Sequence, residues 1–281
     1  MKKLAVLLSI LLLALTFTGC GGTNLFEDAA DDSSSEAEEF KIQTSLDDGN
    51  YEYVITKLSA KSNLTPKEQV YLASAYLGRV NVDFINLIEV ADTDLDTFDV
   101  IASIFGGDEI LADPAGSTSD RAAASIAISV YLTEIENAFN ALDDNSADKD
   151  VKTMKGVLGA LDITLIVAKT VLDVSGADSL TLTEEGITEA LNGAVVLTQD
   201  VVNNASAEND EAEANARIDR DLTAISGAID VFTSVKGGDT SDIKEDFEEF
   251  LNDLDQEAPE NTYNAADIAS YINNVIVGGI I

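Results

Sequence analysis

This sequence predicts an all-α protein, an antiparallel helical bundle or short solenoid of about nine or ten helices, on three observations. Apolar residues recur at alternating spacings of three and four, which places them along one face of a helix. Clusters of Gly, Asp, Asn, Pro and Ser fall between those stripes, where a chain must turn. No stretch sustains the period-two alternation of a half-buried strand.

The stripes follow in order. Ala73, Leu77, Val80, Phe84, Leu87 and Ala91 form the first, and Ala124, Ile128, Leu132, Ile135, Phe139 and Leu142 the second. The longest runs through Val151, Met154, Leu158, Leu161, Leu165, Ala168 and Leu172. Ile187 to Val201, Ile218 to Phe232, Ile243 to Leu254 and a weaker set from Ala265 to Val275 complete the series. Asp47-Asp48-Gly49-Asn50, Gly106-Gly107, Asp143-Asp144-Asn145-Ser146, Ser175-Gly176 and Gly237-Gly238 separate them. Short connections between long helices make neighbours antiparallel. Residues 157–172, VLGALDITLIVAKTVL, are apolar on most faces, but Asp162, Lys169 and the short length predict a central helix surrounded by others rather than a membrane span.

The first nineteen residues have another layout: two lysines, an apolar run from Leu4 to Leu15, then small residues before the only cysteine, Cys20. That is the pattern of an export signal, with an apolar core shorter than a membrane span requires. Phe17-Thr18-Gly19-Cys20 resembles the bacterial lipobox. The resemblance implies that residues 1–19 are a lipoprotein signal peptide and that the Cys20 thiol carries the lipid. The expected location is the bacterial cell envelope, lipid-anchored, at the periplasmic or surface face of the outer membrane. Residues 20–39, rich in Gly, Ser, Asp and Glu, read as an acidic flexible tether, and 40–281 as the helical domain.

Sixteen Lys and Arg stand against 52 Asp and Glu, a formal net charge of −36. Such a surface repels phosphate backbones, so nucleic acid is not an expected partner, and attachment to a membrane falls to the lipid. One cysteine permits no internal disulfide.

LDDGNYEYVITKLSAKSNLTPKEQVYLASAYLGR, residues 46–79, resembles the junction of two tetratricopeptide repeats. Gly49 and Tyr51 stand at the family's turn, Val54 and Leu58 follow it, Pro66 closes the repeat, and Leu72, Ala73 and Tyr76 match the next helix. The resemblance implies a repeat-like part over about 40–92, a long-helix part over about 93–281, and a helical surface that binds a protein partner of the envelope. Leu72, Ala73 and Tyr76 are expected in the interior. Tyr51, Tyr53 and Tyr71 are the candidate partner-binding residues, Tyr53 and Tyr71 being off the buried stripe and accessible.

The chain has no His, which excludes Ser-His-Asp, Cys-His and His-metal arrangements built from it alone. No glycine-rich loop leads into the Lys and Ser/Thr of a phosphate cradle. The acidic runs Asp92–Asp99 and Asp143–Asp150 lack the Gly and Glu that a calcium loop needs at its sixth and twelfth positions. No catalytic residue, metal site or cofactor is therefore expected. The function expected is binding or scaffolding. The alternative is a small apolar or cationic ligand held between the long helices, as in an accessory component of a transporter. Cys20→Ser should abolish metabolic labelling by radioactive fatty acid, and retained labelling would contradict the lipobox assignment.

Overall fold

A computed structural model describes residues 35–80, 82, 120–175, 202, 205–206, 211–236 and 263–271. Among the described residues it holds no strand and seven helices: α1 (Ser35–Asp47), α2 (Tyr51–Ser59), α3 (Pro66–Arg79), α4 (Asp120–Asn140), α5 (Lys149–Ser175), α6 (Glu211–Lys236) and α7 (Ala265–Tyr271). The fold is all-α. The signal segment, Cys20, the acidic run at 92–99 and the stripes at 187–201 and 243–254 lie outside the described residues.

Two boundaries differ from the sequence reading. Helix α1 begins at Ser35, so the last five residues of the stretch read as a flexible tether, 35–39, are helical. Composition misleads there because the stabilising partners are remote. Glu38 pairs with Lys61 at 3.2 Å, and Glu39 pairs with Lys67. Glu36 and Glu38 also lie in the first turn, where the exposed N–H groups favour negative charge. Helix α3 ends at Arg79, so the stripe extended to Ala91 is not one helix. The Val80 and Val82 N–H groups both turn back to the Leu77 carbonyl at 3.1 Å, closing the helix.

Local chemistry sets the first three helices. Gly49 takes φ +72°, and the turn is closed by Asn50 N–H to Ser45 O at 2.7 Å and Gly49 N–H to Leu46 O at 3.0 Å. This paired capping favours glycine, because a side chain in the left-handed region is strained. Thr65 caps α3 through a reciprocal box: its Oγ1 accepts from Glu68 N–H, and Glu68 Oε2 accepts from Thr65 N–H at 2.8 Å, with Pro66 in the first turn. Burial opposes ionisation of Glu68, but hydrogen bonds from Lys61 and Thr65 prevail and hold its carboxyl below the ordinary range.

Pairings between elements fix the directions. Tyr51 and Glu52 at the start of α2 meet Gly78 and Arg79 at the end of α3, so α2 and α3 are antiparallel. Gln69 Oε1 accepts from Asp143 N–H just past α4, while Arg79 reaches Glu134 within it, so α3 and α4 are antiparallel. Lys155 meets Asp144 and the Phe139 ring. Gly159 meets Asp221, and Asp162 meets Arg217. Those contacts make α4, α5 and α6 successive antiparallel neighbours.

Helix α5 is the centre. From Thr153 through Thr170 it is buried at every position except the half-buried Val167, and α3, α4 and α6 all pack against it. Thr164 and Thr170 turn their hydroxyls back to the Ala160 and Ile166 carbonyls at 2.7 Å, so neither is left unsatisfied. Lys155 and Lys169 lead their ammonium groups out to Asp144 and Asp173. No described helix is long and apolar enough to cross a membrane.

Helices α5 and α6 approach closely at Gly159, where a Cβ would lie 2.6 Å from the Asp221 carbonyl oxygen. That neighbour is backbone and cannot swing away. Gly159→Ala should therefore force the helices apart and destabilise the protein by about 1–3 kcal/mol in urea unfolding, despite alanine's better helix propensity. A gain in stability would show that the two helices have room to separate.

Candidate functional site

Beside that contact, charged side chains from three helices meet in the interior. Arg217 of α6 is 5% exposed and Asp162 of α5 is 0% exposed. Their groups form a two-pronged pair, Nε to Oδ2 and Nη2 to Oδ1, both 2.6 Å. The guanidinium also donates from Nη2 to the Leu132 carbonyl of α4 at 2.9 Å and from Nη1 to the Ser206 carbonyl at 3.2 Å. One cation therefore satisfies a carboxylate and two carbonyls at once, as a buried guanidinium must to offset its lost hydration.

One turn further along α6, Arg220 joins Asp221 to Glu136 of α4. Its Nη2 and Nε donate to Asp221 Oδ1 at 2.7 and 3.0 Å, and its Nη1 donates to Glu136 Oε2 at 2.7 Å. The guanidinium lies over the Phe139 ring, 3.9 Å from its centroid. Asp221 is 0% exposed, and its second oxygen, Oδ2, accepts no hydrogen bond among the described residues. Burial and then the neighbouring Asp162 carboxylate push the Asp221 carboxyl well above its ordinary value, against the opposing pull of Arg220.

The arrangement couples helices and holds charge. Among the described residues no three acidic or cysteine side chains are placed to share a metal ion. Sequence reasoning misses this network as a site. In the sequence Asp162 argues only against a membrane span, and Arg217, Arg220, Asp221 and Glu136 belong to no motif. A local signal is nonetheless present: two of the chain's four arginines stand three apart in RIDRD, residues 217–221, within an otherwise acidic chain.

The tyrosine candidates lie elsewhere, on the N-terminal helices. Leu72 and Ala73 are buried as expected, at 5% and 0% exposure, while Tyr76 is half-buried with Arg79 above its ring. Tyr51 is half-buried with its ring against Gly78, where an added Cβ would lie 2.3 Å from Cε1. Its ring thus fills the space a side chain at 78 would take. Tyr53 and Tyr71 are half-buried rather than freely accessible. Both pack against the small core of Ile42, Val54, Leu58, Leu72 and Ala75. Lys57 stands 5.9 Å from the Tyr53 ring centre and Lys67 5.6 Å from that of Tyr71. The outward turn expected from the stripe is incomplete because three short helices leave every tyrosine near the one core they share.

Comparison with family models, curated proteins and solved structures finds no match to this chain.

Arg217→Ala would strand the Asp162 carboxylate in the interior and should cost about 3–5 kcal/mol. Lys67→Ala, at a pair whose side chains are 54% and 44% exposed, should cost about 1 kcal/mol or less. Urea unfolding of the two variants checks the difference; equal losses would mean that the interior pair holds the helices no better than the outer one.

Proposed function

We propose that this protein is a lipid-anchored component of the bacterial cell envelope whose helical body binds or scaffolds a protein partner. The observation that carries the reading is Phe17-Thr18-Gly19-Cys20 at the end of an export-signal pattern, with the chain's only thiol at the lipid position. The acidic charge excess supports it from a second direction, since such a surface gains nothing from anionic headgroups and leaves anchoring to lipid. The likeness of residues 46–79 to a tetratricopeptide junction supports a partner-binding role, because that family presents its helix pairs to other proteins. By the same likeness, tetratricopeptide-containing lipoproteins are the functional analogues, among them outer-membrane assembly factors and helical partners of transporter solute-binding proteins.

Within the repeat-like part, Tyr53 and Tyr71 are the residues for the contact. Each is half-buried and stands beside a lysine, an amphipathic pairing that suits a partner surface with aromatic and acidic groups. Tyr51 is assigned to packing against Gly78 instead.

Capture from an envelope extract tests the reading. The wild-type chain should recover one protein in stoichiometric amount, and Tyr53→Ala plus Tyr71→Ala should reduce that recovery at least tenfold while the helical content and a cooperative melt persist. Ala73→Leu, which overpacks a fully buried position, should lower stability by about 1–3 kcal/mol and serves as the packing control. Equal recovery by the double variant would remove the tyrosines from the interface; no stoichiometric partner would count against the binding role itself.

A further inference from the structure

The orphaned oxygen of Asp221 has a physical consequence. Asp221 Oδ1 takes two hydrogen bonds from Arg220, whereas Oδ2 is enclosed and takes none among the described residues. An ionised carboxylate with one bare oxygen in the interior is among the most costly arrangements a protein can hold. The Asp162 carboxyl flanks the same guanidinium arm: Arg220 Nη2, 2.7 Å from Asp221 Oδ1, stands 3.9 Å from Asp162 Oδ2, and both Asp162 oxygens already accept from Arg217. Two carboxylates facing each other at such range repel, and a single proton between them converts the repulsion into a hydrogen bond.

The surrounding charges agree. Helix α4 contributes Glu136, α5 contributes Asp162, and α6 contributes Arg217, Arg220 and Asp221. Lys155 of α5 stands on the same Phe139 ring as Arg220 but pairs with Asp144 outside the cluster. With Asp221 neutral, two arginines balance Glu136 and Asp162. With Asp221 ionised, one negative charge is left over in the interior of a chain that already carries a net −36.

We propose that Asp221 and Asp162 form a buried proton-binding site, in which Asp221 keeps one proton at neutral pH, donates it from Oδ2 to the Asp162 carboxylate and so ties α6 to α5. The ligand is a proton rather than a metal cation, because two guanidinium groups already hold both carboxylates. Removing the proton, to hydroxide in alkaline solution, breaks the carboxyl to carboxylate hydrogen bond and restores repulsion beside the Gly159 contact. The proposal does not depend on lipidation or on the identity of a partner.

The sign of the pH effect follows from the raised carboxyl. In the unfolded chain Asp221 ionises near pH ~4, and in the folded protein only at much higher pH. The stabilisation is therefore complete below about pH 4 and is lost progressively as pH rises toward the folded value. Asp221→Asn mimics the protonated carboxyl, its amide donating toward Asp162 and its carbonyl accepting from Arg220, and cannot titrate. Repulsion among the surface carboxylates is common to both proteins and cancels in the comparison.

Urea unfolding of the full chain and of Asp221→Asn at about pH 5, 6, 7 and 8 provides the test. The ratio of unfolding constants, wild type over variant, should climb about tenfold per pH unit through the window. A ratio constant with pH would overturn the proposal. If Asp221→Asn does not fold, calorimetric unfolding of the wild type at about pH 7 in buffers of different ionisation enthalpy reads the proton directly. The chain has no His, so carboxyls ionised in both states contribute nothing there, and release of about one proton supports the site. Release of none overturns it.

Discussion

A guanidinium enclosed among three helices must find a hydrogen-bond acceptor for nearly every N–H it carries, and Arg217 meets that demand by drawing α4, α5 and the Ser206 backbone to one point. Much of the rest is arranged around this requirement. Helix α5 must be buried on all sides for Asp162 to face the interior, and α6 must approach it at Gly159 for Arg217 and Asp221 to reach Asp162 together. A network of this kind adds little net energy over an apolar core of the same volume, since desolvation consumes most of the attraction. Its physical effect is on geometry: apolar stripes tolerate sliding and rotation, whereas a two-pronged pair at 2.6 Å fixes both register and helix rotation.

The outer surface and the interior obey opposite rules. Across the chain as a whole, carboxylates outnumber basic groups more than threefold, an excess whose mutual repulsion favours solubility. Inside, the described charges are nearly balanced, and balance is reached only when Asp221 is neutral. Arginine is used for this in preference to lysine because its planar fork serves a carboxylate and two carbonyls at once. The lysines of α5 remain at the margin, where Lys155 and Lys169 reach Asp144 and Asp173 through flexible stems.

Periodicity makes the long helices legible. The Ile128 to Leu142 and Val151 to Ala168 stripes are buried almost residue for residue, because a three-four spacing can satisfy a core only as a helix. Pro66 and Thr65 likewise announce the start of α3 in the local string TPKE. What local reading lacks is any account of partners distant in sequence. Ser35 to Glu39 reads as a solvated tether until Lys61 and Lys67 are beside it, and Asp221 reads as one more surface carboxylate until Asp162, fifty-nine positions earlier, faces it. The tyrosines illustrate the same limit: their spacing gives a helix face, but the size of the core beneath decides how much ring remains exposed. Cys20 is the reverse case, a residue whose proposed lipidation rests on its neighbours in sequence alone.

If the α5–α6 contact and its buried charges organise the molecule, it should be the last part to open. Native-state hydrogen exchange read by mass spectrometry measures this directly. The amides of Gly159–Leu165 and Arg217–Ile225 should exchange most slowly, at rates set by global unfolding, with α1 to α3 opening earlier through smaller fluctuations. Slower exchange in α1 to α3 than in these two segments would refute that organisation, placing the stable centre in the small N-terminal core instead.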